Sequence, residues 1–217
     1  MLSARGVSAG WGAGTPVVQG LDLDLAPGQV LGLQGPSGCG KSTVARVLAL
    51  LHRPSSGTVT VDGALVQGWR YQAPRALRTR VAVLFQQPRL SVDPRLTLRQ
   101  VIVEPLLANG RGTEVPARLP ELVDLVGLTD ELLTRRPHAV SDGQLQRACV
   151  ARALALRPRY LVCDELTSML DASSTAALVQ ALTRYQRHTD AGIVAISHDD
   201  DLLAHWADVV QHLPSTS

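Results

Sequence analysis

The chain has 217 residues, 45% of them hydrophobic, with 21 Lys+Arg against 19 Asp+Glu. A chain this long buries roughly 70% of the surface its unfolded form exposes, so it needs no disulfide or metal staple, and its apolar content excludes global disorder. A formal charge of +2 excludes capture of nucleic acid or an anionic membrane by bulk attraction. No apolar run approaches the ~18 residues of a membrane helix. The first residues also lack the apolar core of a secretory signal. Cys39, Cys149 and Cys163 are odd in number and scattered, which fits a reduced cytosolic protein better than a disulfide framework or zinc site.

In chain order, Leu21, Leu23 and Leu25 alternate with polar residues and predict a half-buried strand. Residues 30–34 form a short apolar strand that runs into Gly35. A helical pattern follows over 41–51, stopped by Pro54 and Gly57. Residues 58–61 predict a strand closed by a turn at Asp62 and Gly63, and 81–85 another buried strand. From 97 to 127 the pattern is helical, broken by prolines and by Asn109 and Gly110, and a further helix is expected over 143–156. Then come a buried strand at 160–163, a helix at 172–185, a strand at 193–196 and a helix at 199–206. Strands alternating with helices predict a mostly parallel α/β sheet, with an antiparallel part near the N-terminus. The purely helical middle predicts a subdomain at 88–145 inserted into a core made of 1–87 and 146–217, the whole forming one domain. Arg70, Arg75, Arg78, Arg80, Arg89, Arg95 and Arg99 cluster with Asp93 as the only acid. Aromatic residues for base stacking are scarce there, so a solvated or protein-docking face is expected rather than a nucleic-acid surface.

Gly35, Pro36, Ser37, Gly38, Cys39, Gly40, Lys41, Ser42 and Thr43 fit the pattern GxxxxGK[ST]. Chance alone would produce such a match in on the order of one chain in a hundred of this length. Its position after a buried strand and before a helix is the one the motif requires. Glycines let successive N–H groups turn inward on phosphate oxygens, and the helix N-terminus adds a favourable dipole. Lys41, the only lysine among the 21 basic residues, can bridge β- and γ-phosphates, and the Ser42 hydroxyl can ligate Mg²⁺. Asp164 and Glu165 follow the strand at 160–163. Strand C-termini of a parallel sheet gather beside such a loop, so Asp164 is expected to hold Mg²⁺ through water and Glu165 to polarise the attacking water. Alone, Trp11, Gln86 and His198 would read as a core aromatic, a loop amide and a capping histidine.

Together these motifs resemble the ATP-binding subunit of ABC transporters over nearly the whole chain. The resemblance implies the P-loop NTPase fold, with ATP and Mg²⁺ as ligands. It makes Trp11 the aromatic that stacks on adenine. Gln86, in Phe85-Gln86-Gln87-Pro88, becomes the glutamine that touches Mg²⁺ or water and senses a membrane subunit. Ser141, Asp142, Gly143 and Gln144 stand at the family's LSGGQ signature, which meets the γ-phosphate of a second subunit. Ser168-Met169-Leu170-Asp171 matches the loop that crosses the dimer interface, and His198 the switch histidine. Pro88 to Arg95, Glu104-Pro105-Leu106 and Arg136-Pro137-His138 are similar to the importers of oligopeptides, dipeptides or nickel. Leu166 and Asp142 depart from the family's proline and glycine.

The implied protein is a head-to-tail homodimer or heterodimer with two sandwiched ATP molecules. It would lie peripherally on the cytoplasmic face of the cell membrane, with integral permease subunits and an extracytoplasmic substrate-binding protein, and without nucleic acid. A soluble ABC-type ATPase acting on DNA or ribosomes is the alternative, though Gln86 and Ser141 stand too close for the long coiled coils of chromosome and repair types. A weakly active regulatory subunit is a third reading, supported only by Asp142. That carboxylate either points at the partner's γ-phosphate and weakens closure, or turns back to cap the signature helix; capping is the favoured expectation.

Overall fold

The computed structural model describes residues 1–12, 14–166 and 170–214. Strands β1 (Leu2–Ala9) and β2 (Val18–Leu25) pair antiparallel, with Leu2 opposite Leu25 and Ala4 opposite Leu23. β3 (Val30–Gln34) leads through the glycine-rich loop into α1 (Lys41–Leu48). β4 (Ser56–Val61) and β5 (Ala64–Leu65) complete a four-stranded sheet in the order β2-β1-β4-β5. After α2 (Arg75–Arg78) and β6 (Val81–Leu84) come four helices: α3 (Leu98–Ala108), α4 (Val115–Val126), α5 (Asp130–Leu133) and α6 (Asp142–Leu154). The chain then alternates through β7 (Tyr160–Asp164), α7 (Ala172–Thr189), β8 (Gly192–Ile196), α8 (Asp200–Trp206) and β9 (Val209–His212). The second sheet is parallel throughout, in the order β6-β7-β8-β3-β9.

Both faces of this parallel sheet are covered, and its residues sort by period two. Tyr160, Val162, Val194 and Ile196 point into a core shared with α1 and the antiparallel sheet. Leu161, Cys163, Ile193 and Ala195 point into a second core built with α3, α4, α6 and α7. This explains why β7 and β8 read as continuous apolar runs. Arg118 of α4 reaches the C-terminal end of α6 and donates to the carbonyls of Leu154 and Ala155, at 2.7 and 3.4 Å.

Three departures from the sequence expectations have a clear physical cause. β1 was not anticipated, because the phase of its inward residues slips. Leu2 and Ala4 face the core, then Val7 and Ala9, with a register shift between Ala4 and Val7 around Gly6 at φ +56°. β9 is a half-exposed edge strand beside β3, too short to show a period. Finally, α1 stops at Leu48 rather than continuing to 51. Leu50 takes φ 61°; its N–H bonds Val47 O, and the Leu51 N–H bonds Arg46 O at 2.8 Å. This is a Schellman-type ending with leucine where glycine is usual, and burial of Leu50 in the core offsets the left-handed strain.

The hairpin turn between β4 and β5 carries an ionic knot. Asp62 accepts from the Tyr160 hydroxyl at 2.5 Å, the terminal amine of Met1 at 3.1 Å and Arg80 at 2.6 Å, with Arg159 at 3.4 Å. Burial raises the Asp62 pKa, but these partners outweigh it and hold the carboxyl below its ordinary value. The Tyr160 hydroxyl is pushed up to about 12, first by burial and then by the bond to Asp62. A phenol raised on folding contributes stability that is complete below its unfolded pKa and fades as pH climbs from there towards the folded value. Tyr160→Phe should therefore lose about 1.5–3 kcal/mol in urea unfolding at neutral pH, the worth of a hydrogen bond to a charged acceptor. The gap to the parent should shrink by about pH 11. A constant gap would mean that Tyr160 acts only by packing.

Candidate functional site

Four neighbouring strands of the parallel sheet deliver their C-terminal ends to one edge. β6 is followed by Gln86, β7 ends in Asp164 and Glu165, β8 leads to His198, and β3 leads into residues 35–43. Loops beyond strand C-termini are where open α/β sheets bind ligands. Gly40 caps α1 at φ +97°, where a Cβ would stand 2.5 Å from Val18 Cγ2, so the loop can pass there only as glycine. The first turn of α1 has no intrahelical use for its N–H groups, which leaves them for an anion. Lys41 is 7% exposed and donates to the carbonyls of Gly35 at 2.7 Å and Pro36 at 3.0 Å, so its ammonium lies across the loop.

Asp164 is only 4% exposed and accepts from Ser42 Oγ at 3.2 Å. Burial pushes its carboxyl above the ordinary range. The Ser42 bond opposes the shift, Glu165 adds to it, and Arg46 and Lys41 offset part of it. A buried carboxylate beside a hydroxyl is a pair of hard oxygen donors that suits a divalent cation such as Mg²⁺. Glu165 takes a left-handed φ of 49°, at a cost of about 1–2 kcal/mol for a residue with a Cβ. Its N–H bonds Ile196 O at 3.0 Å. Its Oε2 accepts from Gln86 Nε2 at 2.9 Å, and its Oε1 lies 3.9 Å from His198 Nδ1. The three residues expected to be catalytic are thus in one row.

Trp11 is 55% exposed and bounds a 340 Å³ cleft together with Ser37, Gly38, Gly40, Lys41, Ser42, Thr43, Arg46 and Glu165. Its indole N–H donates to Thr43 Oγ1 at 3.3 Å. The ring lies 4.4 Å from that of His52, with the Arg46 guanidinium 5.3 Å from its centroid. His52 in turn contacts Gly10 O at 2.9 Å. A larger hollow of 690 Å³ between β4, β5 and the turn at Trp69 is lined by no acid; it shares His52 with the Trp11 contact but none of the residues from the phosphate loop, Asp164 or Glu165.

Ser141 to Gln144 do not line the Lys41 cleft of their own chain. Ser141 is the N-cap of α6 in a reciprocal capping box: Gln144 N–H bonds Ser141 Oγ at 3.2 Å, and Ser141 N–H bonds Gln144 Oε1 at 3.0 Å. The expected capping role of Asp142 is therefore corrected. Ser141 already fills that position, and Asp142 is the first residue of the helix, its Oδ1 accepting from Arg89 Nε at 2.7 Å. Gly143 stands where a Cβ would meet Ser174 Oγ at 3.4 Å. Asp171 caps α7. Its carboxylate accepts from Ser173 Oγ at 2.6 Å, Ser174 N–H at 2.8 Å and Ser174 Oγ at 2.9 Å, which hold it well below the usual carboxylate range. Ser168 and Met169 lie outside the described residues.

The family model for the ABC transporter matches residues 18–168. The chain belongs to the ABC transporter family. It is 41% identical over 184 residues to the glutathione import ATP-binding protein GsiA of Pectobacterium atrosepticum, covering 84% of this chain and 30% of that protein. It is 38% identical over 196 residues to the oligopeptide transport ATP-binding protein OppF of Escherichia coli, covering 89% and 59%. The chain thus spans about a third to three-fifths of these relatives. Among solved structures, the ATP-binding cassette MJ0796, dimeric in a post-hydrolysis state with ADP and Pi, aligns with a TM-score of 0.87 and 25% identity over 99% of this chain and 95% of that one. The fold is that of the ABC cassette, as expected from the sequence.

Three residues around this ABC site were not singled out as functional from the sequence. Arg46 lies one helical turn beyond Ser42 on α1, so its approach to the cleft was readable in principle. His52 under Trp11 and Arg89 on Asp142 join distant segments and leave no local trace. Of the arginine cluster, Arg75 bonds Asn109, Arg80 bonds Asp62, Arg89 bonds Asp142 and Arg95 bonds Asp93.

Trp11→Ala should weaken nucleotide binding by about 1–3 kcal/mol, the worth of base–aromatic stacking. An exposed ring contributes little to the core, so the thermal midpoint without nucleotide should stay close to the parent's. Calorimetry with ATP and a thermal melt check both; a lowered midpoint with unchanged affinity would make the ring structural.

Proposed function

We propose that the chain binds and hydrolyses ATP with Mg²⁺ as the peripheral, cytoplasmic-face motor of a peptide importer. The observation that carries this reading is the row of Gln86, Glu165 and His198 beside the phosphate loop. The α1 N-terminus and Lys41 would grip the phosphates, and Trp11 would stack on adenine. Mg²⁺, held by Ser42 and Asp164 with Gln86 nearby, would neutralise phosphate charge when bound. Glu165 would orient the water and take its proton as the γ-phosphorus–bridging-oxygen bond breaks. Gln86 holds Glu165 from one side, while His198 stands on the other to meet the γ-phosphate.

Hydrolysis would depend on a second ATP-binding subunit, identical or related, whose Ser141, Gly143 and Gln144 equivalents close over the γ-phosphate while Asp171 approaches the interface. Closure excludes water and completes the site. Residues 88–145 would be the helical arm that docks on integral permease subunits, served by an extracytoplasmic substrate-binding protein. Among the described residues no helix is long and apolar enough to cross a membrane, in keeping with a peripheral role. The import names of the relatives favour peptides as cargo. Mg²⁺-dependent ATP hydrolysis by the purified chain, together with co-purification of peptide-permease subunits from gently solubilised membranes, is the expected result. ATP hydrolysis stimulated by DNA or ribosomes, with no membrane partner, would overturn the importer reading.

A further inference from the structure

Arg89 sits in the short turn Pro88–Leu90, three residues after Gln86. Its guanidinium makes three contacts to the stretch that leads into α6. Nε donates to Asp142 Oδ1 at 2.7 Å, one terminal nitrogen to Pro137 O at 2.9 Å, and the other to Val140 O at 3.2 Å. The same turn is tied further along α6, where Arg152 donates to Ser91 O at 2.5 Å. Gln86, just upstream, donates to the carboxylate of Glu165. A short path therefore runs from the catalytic acid, through the turn, to the signature.

We infer that Arg89 is a positioning residue of the signature, which neutralises Asp142 and fixes residues 137–142 so that the N-terminus of α6 can accept a phosphate from a second ATP-binding subunit. This rests on the sandwich-dimer reading given above. In the isolated chain the two side chains are 47% and 46% exposed, and exposed pairs add little to stability. The pair matters when a second subunit covers it. Asp142 places a negative charge at the same helix end that would receive the negatively charged γ-phosphate. Left alone, that charge would repel the phosphate in a site that is losing its water. With Arg89 against it, the local charge is balanced, and the N–H groups of α6 remain the dominant feature. Asp142 is then harmless because of Arg89. The pair also mechanically links the segment after Gln86 to the signature, so a push on that segment reaches the phosphate-contacting end of α6.

The test is a double-mutant comparison in a Glu165→Gln background, which should retain bound ATP. ATP-driven self-association is followed by analytical ultracentrifugation at moderate salt. Arg89→Ala should raise the ATP concentration needed for self-association by at least about tenfold, because an unbalanced carboxylate then faces the phosphate. Asp142→Asn, which removes the repelling carboxylate and leaves the Arg89 guanidinium unopposed, should lower that ATP concentration. Arg89→Ala with Asp142→Asn should recover most of the loss. Arg89→Gln drops the charge and keeps one amide donor at about the position of Nε; it should show the same defect and the same rescue, and it stands in if Arg89→Ala fails to fold. Equal loss in the single and double variants would overturn the inference and make Arg89 a strut. Equal association in all variants would overturn it while leaving the sandwich dimer standing. A parent that never self-associates with ATP would overturn the sandwich between identical subunits, and the role of Arg89 within it.

Discussion

Glu165→Gln should slow ATP hydrolysis by about 10²–10⁴-fold, the usual worth of a positioned general base, while leaving ATP affinity near the parent value. The substitution keeps the shape of the side chain, and its amide oxygen can still accept from Gln86 Nε2, which stands 2.9 Å from the present carboxylate. What disappears is the group that can take the proton of the attacking water. Phosphate binding rests on other residues, namely the loop amides and Lys41, so the binding step should be spared. ATP-bound dimers should accumulate, visible as an ATP-dependent shift in size-exclusion chromatography beside a flat single-turnover trace. The left-handed backbone of Glu165 strengthens the case, since a strained conformation at a strand end persists only where its surroundings hold it in place. Near-normal turnover would remove Glu165 from its role.

The phosphate loop and the acid pair could be read from the sequence because each follows a short apolar strand covered on both faces. Burial on both faces makes such strands visible as runs, and the residue that ends the run is placed by topology alone. Asp164 and Glu165 are legible in this way; Gln86 and His198 also follow short apolar strands, but only the family resemblance gives them roles, and the structure lines all these strands up as neighbours. Other parts depend on relations that no local pattern carries. β1 loses its alternation at the Gly6 bulge, and β9 is defined only by lying beside β3.

The signature shows the same limit within one motif. Ser141 and Gln144 are three residues apart, so their capping box is implicit in the local sequence. The partner of Asp142 comes from the turn after β6, far away along the chain, and nothing near residue 142 announces it. An acid at a helix start reads as a cap from the sequence; a serine one position earlier displaces it. Likewise, Trp11 could be matched to a role by family resemblance, but the His52 ring beneath it depends on where α1 stops. That in turn depends on Leu50 accepting a left-handed conformation in exchange for burial.

Lys41→Ala should weaken ATP binding by about 30- to 1,000-fold, corresponding to one or two charge-assisted hydrogen bonds. The ammonium already spans the loop between the carbonyls of Gly35 and Pro36, so it is held over the place where phosphate oxygens would enter. Lys41→Arg should not rescue the loss. A guanidinium is wider, planar and forked, whereas the position is 7% exposed and closed in by the loop's own backbone. The thermal midpoint without nucleotide should fall only slightly in either variant, because Lys41 bonds loop carbonyls rather than core groups. The sequence offers an independent check, since Lys41 is the only lysine in the chain. An amine-reactive acylating reagent can modify only this side chain and the terminal amine of Met1, and mass spectrometry separates the two products. ATP should protect Lys41 and leave the labelling of Met1 unchanged. Equal ATP affinity in the parent, Lys41→Ala and Lys41→Arg, together with labelling of Lys41 that ignores ATP, would sink the assignment of the phosphate loop.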